Sequence, residues 1–226
     1  METSIFEVLG PVMIGPSSSH TAGAARIARI ARAVADEDVV SVVFGLHGSF
    51  AKTYKGHGTD KALVAGILGM REDDEDIRNS FSIAREKGME YRFREVELSD
   101  AHENTVLVET TGSNNRQHRI TGASVGGGSI LITNIDGFEV EITAENPVII
   151  IKMRDKKGVI SEITALLANN NINIAVMRVS RKGKGSEAST IIETDDRISL
   201  SIIERLSEIK YVDDVKVMNF AVEKGI

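Results

Sequence analysis

The sequence predicts an α+β protein of two parts, a mixed N-terminal domain at residues 1–146 and a ferredoxin-like C-terminal domain at residues 147–226. Three observations lead to this prediction. The length of 226 residues suits one large domain or two small ones. After Pro147, strand-like and helix-like segments alternate regularly. Before Pro147, helices and hairpins are mixed without a β-α-β series, which is typical of an α+β arrangement.

In the C-terminal domain, the hydrophobic pattern predicts the element order β-α-β-β-α-β. The apolar run Val148–Met153 is typical of a buried strand, and the apolar residues that follow Gly158 recur at helical spacing. The other predicted elements are strands at Ile172–Val179, Ser189–Glu193 and Val215–Val222 and an amphipathic helix at Leu200–Ile209. This order, over about 75 residues, is that of a ferredoxin-like fold.

In the N-terminal domain, the spacing predicts an amphipathic helix at Ala22–Ala35, with Arg26, Arg29 and Arg32 on its solvated face. Lys61–Met70 is apolar nearly all round, which predicts a buried helix. The dipeptide Asp136-Gly137 between two strand-like runs is a strong hairpin signal. The predicted strands are Val39–Phe44, Val106–Glu109, Ile130–Asn134 and Phe138–Ile142.

Composition excludes several classes of function. With 27 basic and 33 acidic residues the net charge is −6, so the chain lacks the basic footprint of a nucleic-acid binder. No apolar run reaches the roughly 18 residues that a membrane span needs. The first residues contain Glu2 and Glu7 and no basic stretch, so no signal peptide is expected and the cytosol is the predicted location.

The chain contains no cysteine and five histidines. It therefore cannot form a disulfide, a thiolate nucleophile or a cluster held by its own thiolates. The histidines show no metal-binding spacing, so no metal ligand is predicted in this chain. Two of them, His102 and His118, have polar neighbours in the sequence and are expected at the surface.

A first candidate site is the segment Gly15–Thr21, which places hydroxyls and an imidazole where a helix is predicted to begin. Free N–H groups and the helix dipole favour anions at such a position. With the helix N-terminus, the side chains would form a cradle for a carboxylate or a phosphate. The alternative is that one hydroxyl is merely an N-cap. The side chains concerned are Ser17, Ser18, Ser19, His20 and Thr21.

A second candidate site is the predicted loop His47–Asp60, which also leads into a helix. Gly56 and Gly58 flank His57 and would let a ligand approach closely. Thr59 and Asp60 can cap the next helix, whose dipole would keep a neighbouring imidazole neutral and available as a base. A structural role for His57 is the alternative. A third segment, Gly122–Ser129, has three consecutive glycines that could offer backbone amides, or could simply form a flexible loop.

Taken together, these motifs resemble a known family. GPSSSHT, the pattern GS-x-A-x-T-x-x-GHGTD at Gly48–Asp60, and GASVGGG are similar to the iron–sulfur-dependent L-serine dehydratases, in particular to the beta chain of the two-subunit form. The resemblance covers essentially the whole chain and implies a lyase that deaminates L-serine to pyruvate and ammonia. It implies a 4Fe–4S cluster, held by cysteines of an alpha chain, whose open iron acts as a Lewis acid on the serine hydroxyl.

The resemblance also implies roles for residues of this chain. His57 is the candidate base for the α-proton, with His20 as its partner or as the alternative base. The hydroxyls of Ser17–Ser19, together with Thr21, would hold the substrate carboxylate, while Thr59 and Asp60 would orient His57. Some single-chain relatives have a second histidine where this chain has Gly58, so that side chain has no counterpart here.

The C-terminal domain resembles an ACT domain, a module that often pairs with another copy and binds amino acids. Gly158 and Asn173 match the ligand-binding pattern, but Asp155 replaces an asparagine and would repel a ligand carboxylate unless a cation intervenes. Pairing is therefore expected here rather than amino-acid binding, and a monovalent cation near this domain is a further expectation. The alternative function for the whole chain is an amino-acid-sensing regulatory subunit without chemistry of its own.

Overall fold

The computed structural model describes residues 13–35 and 37–219, and the chain divides into two compact units. Of the described residues, the first unit contains those up to Gly137 together with Glu141–Thr143, and the second contains Phe138–Val140 together with those from Ala144 onwards, so residues 138–143 are divided between the two. Helices and strands occur in both units, so the predicted α+β class is confirmed. Residues 220–222, at the end of the last predicted strand, lie outside the described residues.

The first unit is built on a sheet of six strands in the order β2-β1-β3-β4-β5-β6. Strand β1 pairs with β2 in parallel and with β3 antiparallel, and β3, β4 and β5 continue antiparallel. The hairpin predicted at Asp136-Gly137 is present between β5 and β6. The strands are β1 (Val39–Leu46), β2 (Glu90–Glu95), β3 (Thr105–Gly112), β4 (Gln117–Gly126), β5 (Ser129–Ile135) and β6 (Phe138–Ile142).

Among the described residues, four α-helices accompany this sheet: α1 (Ala24–Ala35), α2 (Gly48–His57), α3 (Thr59–Ile67) and α4 (Ser80–Glu86). Helix α1 packs on β3 and β4, and α3 packs on α1. The two helices approach closely because Gly66 has no side chain: a Cβ there would overlap the carbonyl oxygen of Ala25. A π-helical turn at Ser18–Gly23 precedes α1, and a 3₁₀ turn at Glu75–Asn79 precedes α4.

The prediction of a solvated arginine face on α1 is wrong. Each arginine is partly buried and bonded to a neighbouring element. Arg26 donates to the carbonyl oxygen of Gly128 at 2.8 Å, and Arg32 donates to that of Ile67 at 3.0 Å. Arg29 pairs with Glu72 at 3.1 Å. The long side chains reach across the flanks of the helix to acceptors that sequence spacing does not reveal.

The expectation that His118 lies at the surface is also wrong. His118 is only 9% exposed, and its Nδ1 lies 2.9 Å from Oδ2 of Asp136. Alternate residues of a strand share a face, so His118 lies on the same side of β4 as the fully buried Ile120 despite its polar neighbours in the sequence. His102, by contrast, is exposed as predicted.

The second unit has the predicted order β-α-β-β-α-β, and its four strands are arranged β10-β7-β9-β8. Its core joins alternate residues of β7, such as Ile149 and Ile151, with the buried stripe of the first helix at Ile163 and Leu167. The elements are β7 (Val148–Arg154), α5 (Val159–Asn169), β8 (Ile174–Arg181), β9 (Glu187–Thr194), α6 (Leu200–Ser207) and β10 (Val212–Met218). Within the described ranges of the whole chain, no helix is long and apolar enough to cross a membrane.

Candidate active site

His20 lies in the π-helical turn at Ser18–Gly23 that leads into α1. The oxygen of the Ser17 side chain caps this turn by accepting a hydrogen bond from the backbone N–H of His20 at 3.2 Å. Gly15 precedes the turn with φ +136°, and a Cβ there would come within 2.6 Å of the Thr21 side chain. Short π-helical segments are frequent at functional sites. Helical structure therefore begins with the π-helical turn at Ser18, before the predicted start at Ala22, and this turn includes the histidine, whereas the α-helix itself begins at Ala24.

The imidazole of His20 contacts side chains from α2 and the side chain of Ser17. Its Nε2 lies 3.2 Å from Oγ of Ser49, and its Nδ1 lies 3.4 Å from Oγ of Ser17. The edge of the ring meets the buried ring of Phe50, with 5.2 Å between centroids. The ring of His57 lies on another side, 4.7 Å from that of His20 and tilted by 59°. Phe50 and His57 are seven residues apart, two helical turns, so both point from one face of α2.

His57 is the last residue of α2, not a loop residue, so the prediction of a loop at His47–Asp60 is wrong. Gly58 ends the helix with φ +70°, a left-handed conformation that glycine adopts without strain. The Thr21 hydroxyl donates to the carbonyl oxygen of His57 at 3.2 Å and ties the two segments together. Nδ1 of His57 is buried and, in the part of the chain that the structure describes, has no hydrogen-bond partner.

The predicted capping of α3 by side chains is not found. The N-cap of α3 is Gly58, which has no side chain to accept a hydrogen bond. Oδ1 of Asp60 accepts from the N–H of Lys61 at 2.8 Å, and Oγ1 of Thr59 is buried without a partner among the described residues. The predicted orienting of His57 by these two residues is therefore not seen as a hydrogen bond. Since His57 closes α2, the negative end of that helix faces it as well as the positive end of α3.

Two ionisable groups of this region have shifted pKa values. Burial lowers the pKa of His20 from its ordinary value of 6.5, and the charge of a protonated His57 lowers it further. Burial also raises the pKa of Asp60 above its ordinary value. The first shift keeps His20 neutral near pH 7, and the closeness of the two rings opposes a second proton on the pair.

We expect the shifted pKa of His20 to make folding less stable in mild acid. In the unfolded chain a histidine takes up its proton as the pH falls through about 6.5, whereas folded His20 remains neutral until its lowered pKa is reached. The unfolding free energy should therefore decrease with falling pH across this interval and stop changing below it. Denaturation of the wild type and of His20→Gln at pH 7.5 and 5.5 checks this, because the variant should lose part of the dependence.

The predicted hydroxyl cradle is present only in part. Ser17 caps the turn, and the side chains of Ser18 and Ser19 are half-buried. Thr21 is 2% exposed and its hydroxyl proton is given to the carbonyl oxygen of His57. The hydroxyl proton of Thr21 thus has an acceptor within the chain, and the expected contact of Thr21 with a substrate carboxylate stays a prediction.

The glycine-rich third segment lies next to the His20 turn. It forms the end of β4 and the turn into β5, and Gly126, Gly127 and Gly128 all have positive φ angles of 117°, 59° and 84°. Ser124, which is fully buried, fills the space beside Gly23 where a Cβ would overlap its hydroxyl. The three segments selected from the sequence thus meet within the first unit.

Comparison with known proteins places the chain in a family. A model of the serine dehydratase beta chain matches residues 4–90, and one of the ACT domain matches residues 147–210. The "probable L-serine dehydratase, beta chain" of Bacillus subtilis is 41% identical over 212 residues, which are 94% of this chain and 96% of that protein. The chain belongs to the L-serine dehydratase beta-chain family. The resemblance seen in its motifs is confirmed.

Two further relatives match this chain over different shares of their own length. The L-serine dehydratase beta chain of Peptoniphilus asaccharolyticus is 39% identical over 217 residues, 93% of this chain and 98% of that protein. A D-3-phosphoglycerate dehydrogenase of Bacillus subtilis is 28% identical over 184 residues, which cover 81% of this chain but 35% of that protein. The full-length matches are thus to dehydratase beta chains.

Sequence reasoning about this beta chain missed two residues of the site, Ser49 and Phe50. Both lie in the first turn of α2, and both contact His20. The motif at Gly48–Asp60 contains them, but the loop that the sequence predicts there gives neither side chain a defined direction. A helical interpretation would have placed Phe50 and His57 on one face.

The residues considered as ACT ligands in this beta chain are bonded within their own unit. Oδ2 of Asp155 accepts from the N–H of Gly185 at 2.9 Å and from Arg181 at 3.0 Å, and these bonds lower the pKa of Asp155. The side-chain amide of Asn173 donates to Asp195 at 2.6 Å. Gly158 has φ +95° and is the N-cap of α5. Asp155 and Asn173 thus already have partners in the chain.

The side chains of this beta chain do not fit an iron–sulfur cluster of its own. The sequence contains no cysteine, and thiolates are the usual ligands of such clusters. Among the described residues, no group of three or more histidine, aspartate or glutamate side chains is placed to hold a metal ion. The imidazole of His20 lies between two serine hydroxyls, and the ring of His57 lies 4.7 Å from it.

Proposed function

We propose that this chain is the beta subunit of an L-serine dehydratase, a lyase that converts L-serine to pyruvate and ammonia together with an alpha chain. The observation that carries the proposal is the pair His20 and His57, whose rings lie 4.7 Å apart beside the Ser17 and Ser49 hydroxyls. The names of the relatives that match over the full length support the same reaction.

The histidine pair provides a base for the first step. Two neighbouring imidazoles resist double protonation, so at least one stays neutral and can accept the α-proton of serine near neutral pH. We assign this role to His57, because both ring nitrogens of His20 already face serine hydroxyls. Loss of the α-proton and of the β-hydroxyl as water yields aminoacrylate, which hydrolyses to pyruvate and ammonia.

The start of the π-helical turn is the proposed place for the substrate carboxylate. Ser18 and Ser19 are half-buried and make no hydrogen bond through their side chains within the described ranges. They lie at the first N–H groups of a helix, where unpaired donors and the dipole favour an anion. Thr21 is left out of this subsite because its hydroxyl is bonded to His57.

The cluster implied by the family would be held by the alpha chain in this proposal, since no thiolate is available here. This chain would then supply the base and the carboxylate subsite, and the cytosol stays the expected location of the complex. For the ACT domain we propose pairing rather than amino-acid binding, because Asp155 and Asn173 are bonded to neighbours in the chain. The monovalent cation stays a prediction.

The proposal is tested by reconstitution. We expect the purified chain alone to form no pyruvate from L-serine, and a cysteine-bearing alpha chain loaded with its cluster to become active when this chain is added. Turnover by this chain alone, or an alpha chain whose activity needs no partner, would contradict the division of roles. Calorimetric titration of the isolated chain with L-serine identifies the sensor alternative, in which binding occurs and the alpha chain is only regulated.

A further inference from the structure

The hydroxyl of Ser49 is the polar contact that the first turn of α2 makes with His20. Oγ of Ser49 lies 3.2 Å from Nε2 of His20, and the residues are 29 positions apart in the chain. Neither residue is exposed, so the contact lies in a partly desolvated place where a hydrogen bond is stronger than in water. The identity of the side chain at position 49 therefore affects the state of the imidazole.

Ser49 itself is held by the backbone of the segment before β3. Its N–H donates to the carbonyl oxygen of Glu103 at 2.7 Å. Gly48, with φ +56°, lets the helix begin flush against this segment, since a Cβ there would come within 2.6 Å of the same oxygen. The carbonyl oxygen of Ser49 accepts from the Thr53 hydroxyl at 2.8 Å. The Ser49 hydroxyl therefore contacts His20 from a backbone that is held in place by hydrogen bonds.

Counting protons indicates which tautomer His20 adopts. Oγ of Ser17 already accepts the backbone N–H of His20, so its own proton is available for Nδ1, at 3.4 Å. Nδ1 is then an acceptor, and the ring proton lies on Nε2, from which it is donated to Ser49. Among the described residues, Oγ of Ser49 accepts no other hydrogen bond, whereas Oγ of Ser17 already accepts one, so Ser49 is the more available acceptor for a ring N–H.

We propose that Ser49 is a positioning residue, which holds His20 as the Nε2–H tautomer with its ring turned toward His57. Its importance for turnover rests on the proposed dehydratase function, whereas the tautomer itself does not. Fixing a partner imidazole in this way resembles the role of an orienting group in other nucleophile–base arrangements, where a wrong tautomer is costly.

The tautomer is tested on the full chain without its partner, by ¹H–¹⁵N correlation spectra of the histidine rings. We expect the wild type to show the Nε2–H pattern for His20, Ser49→Ala to show a mixture of tautomers, and Ser49→Thr to keep the wild-type pattern. The control is Lys52→Ala, which truncates an exposed side chain of the same helix and should change nothing. An Nδ1–H pattern in the wild type, or an unchanged spectrum in Ser49→Ala, overturns the proposal.

Turnover of the reconstituted complex tests whether the positioning of His20 by Ser49 affects catalysis. We expect Ser49→Ala to lower kcat by roughly 10-fold to 100-fold with little change in KM, and Ser49→Thr to restore most of it. Equal kcat values in Ser49→Ala and Lys52→Ala would overturn the positioning role. A wild-type complex without turnover would instead contradict the proposed function and leave the tautomer result standing, so the two failures are distinguishable.

Discussion

His57→Ala is expected to lower kcat of the reconstituted dehydratase by at least about 100-fold, because a positioned general base contributes that much or more. The reason lies in the surroundings of the ring. Both nitrogens of His20 face serine hydroxyls, whereas Nδ1 of His57 has no partner within the described ranges. Steady-state pyruvate formation measures the effect, with circular dichroism to show that the variant is folded.

The assignment between the two histidines is decided by comparing variants. Lys52→Ala serves as the control, since Lys52 is exposed on the same helix and should leave kcat unchanged. If His57→Ala keeps near wild-type kcat while His20→Ala loses activity, the base is His20. Exchange of the α-proton of serine with solvent separates a missing base from a slower later step, because only the former abolishes exchange.

The C-terminal unit could be predicted almost completely because its elements are locally consistent. Strand β7 begins with the continuous apolar run at residues 148–151, and α5 has its buried residues Val159, Ile163 and Leu167 at helical spacing. In each helix and strand of this unit, the hydrophobic residues recur at the spacing typical of that element. The bounds of the last strand differ: the sequence predicts Val215–Val222, whereas β10 begins at Val212. The charged residues Asp213 and Asp214 interrupt the apolar pattern there, so the start of the strand is not predicted.

Helix α2 could not be predicted because nothing in its sequence has helical periodicity. Phe50 is its only buried residue, and glycines, hydroxyls and lysines fill the rest. Such a segment is helical because of tertiary contacts, here the packing of Phe50 and His57 against His20 and the stop at Gly58. The local sequence favours a loop, but these tertiary contacts stabilise a helix instead.

The sequence motifs indicate which segments lie close together, but they do not indicate which atoms make the contacts. The family resemblance implies His20 as a partner of His57, and the two rings lie 4.7 Å apart. The contact of His20 with Ser49 joins residues 29 positions apart, and that of His118 with Asp136 depends on which face of β4 is buried. Pairings of this kind follow from register and packing, which a single sequence does not specify.

Phe50→Ala is expected to destabilise the first unit by about 3–5 kcal/mol, the usual loss when a buried phenylalanine is truncated. Phe50 is fully buried and meets the edge of the His20 ring at 5.2 Å between centroids. Truncation would leave a cavity on that side of the imidazole, so His20 should also lose its fixed orientation. Hydrogen exchange of the α1 and β1 amides in the folded chain measures the loss for this unit alone.

Phe50→Leu separates packing from the aromatic contact. Leucine fills most of the cavity, so its cost should be clearly smaller than that of alanine, while the edge contact with His20 is lost in both. Leu200→Ala is the control, since Leu200 is 78% exposed and should change stability by less than about 0.5 kcal/mol. A loss below about 1 kcal/mol for Phe50→Ala would contradict its place in the core. The first turn of α2 would then be held by the Glu103 carbonyl alone, and the support of His20 from this side would have to come from Ser49.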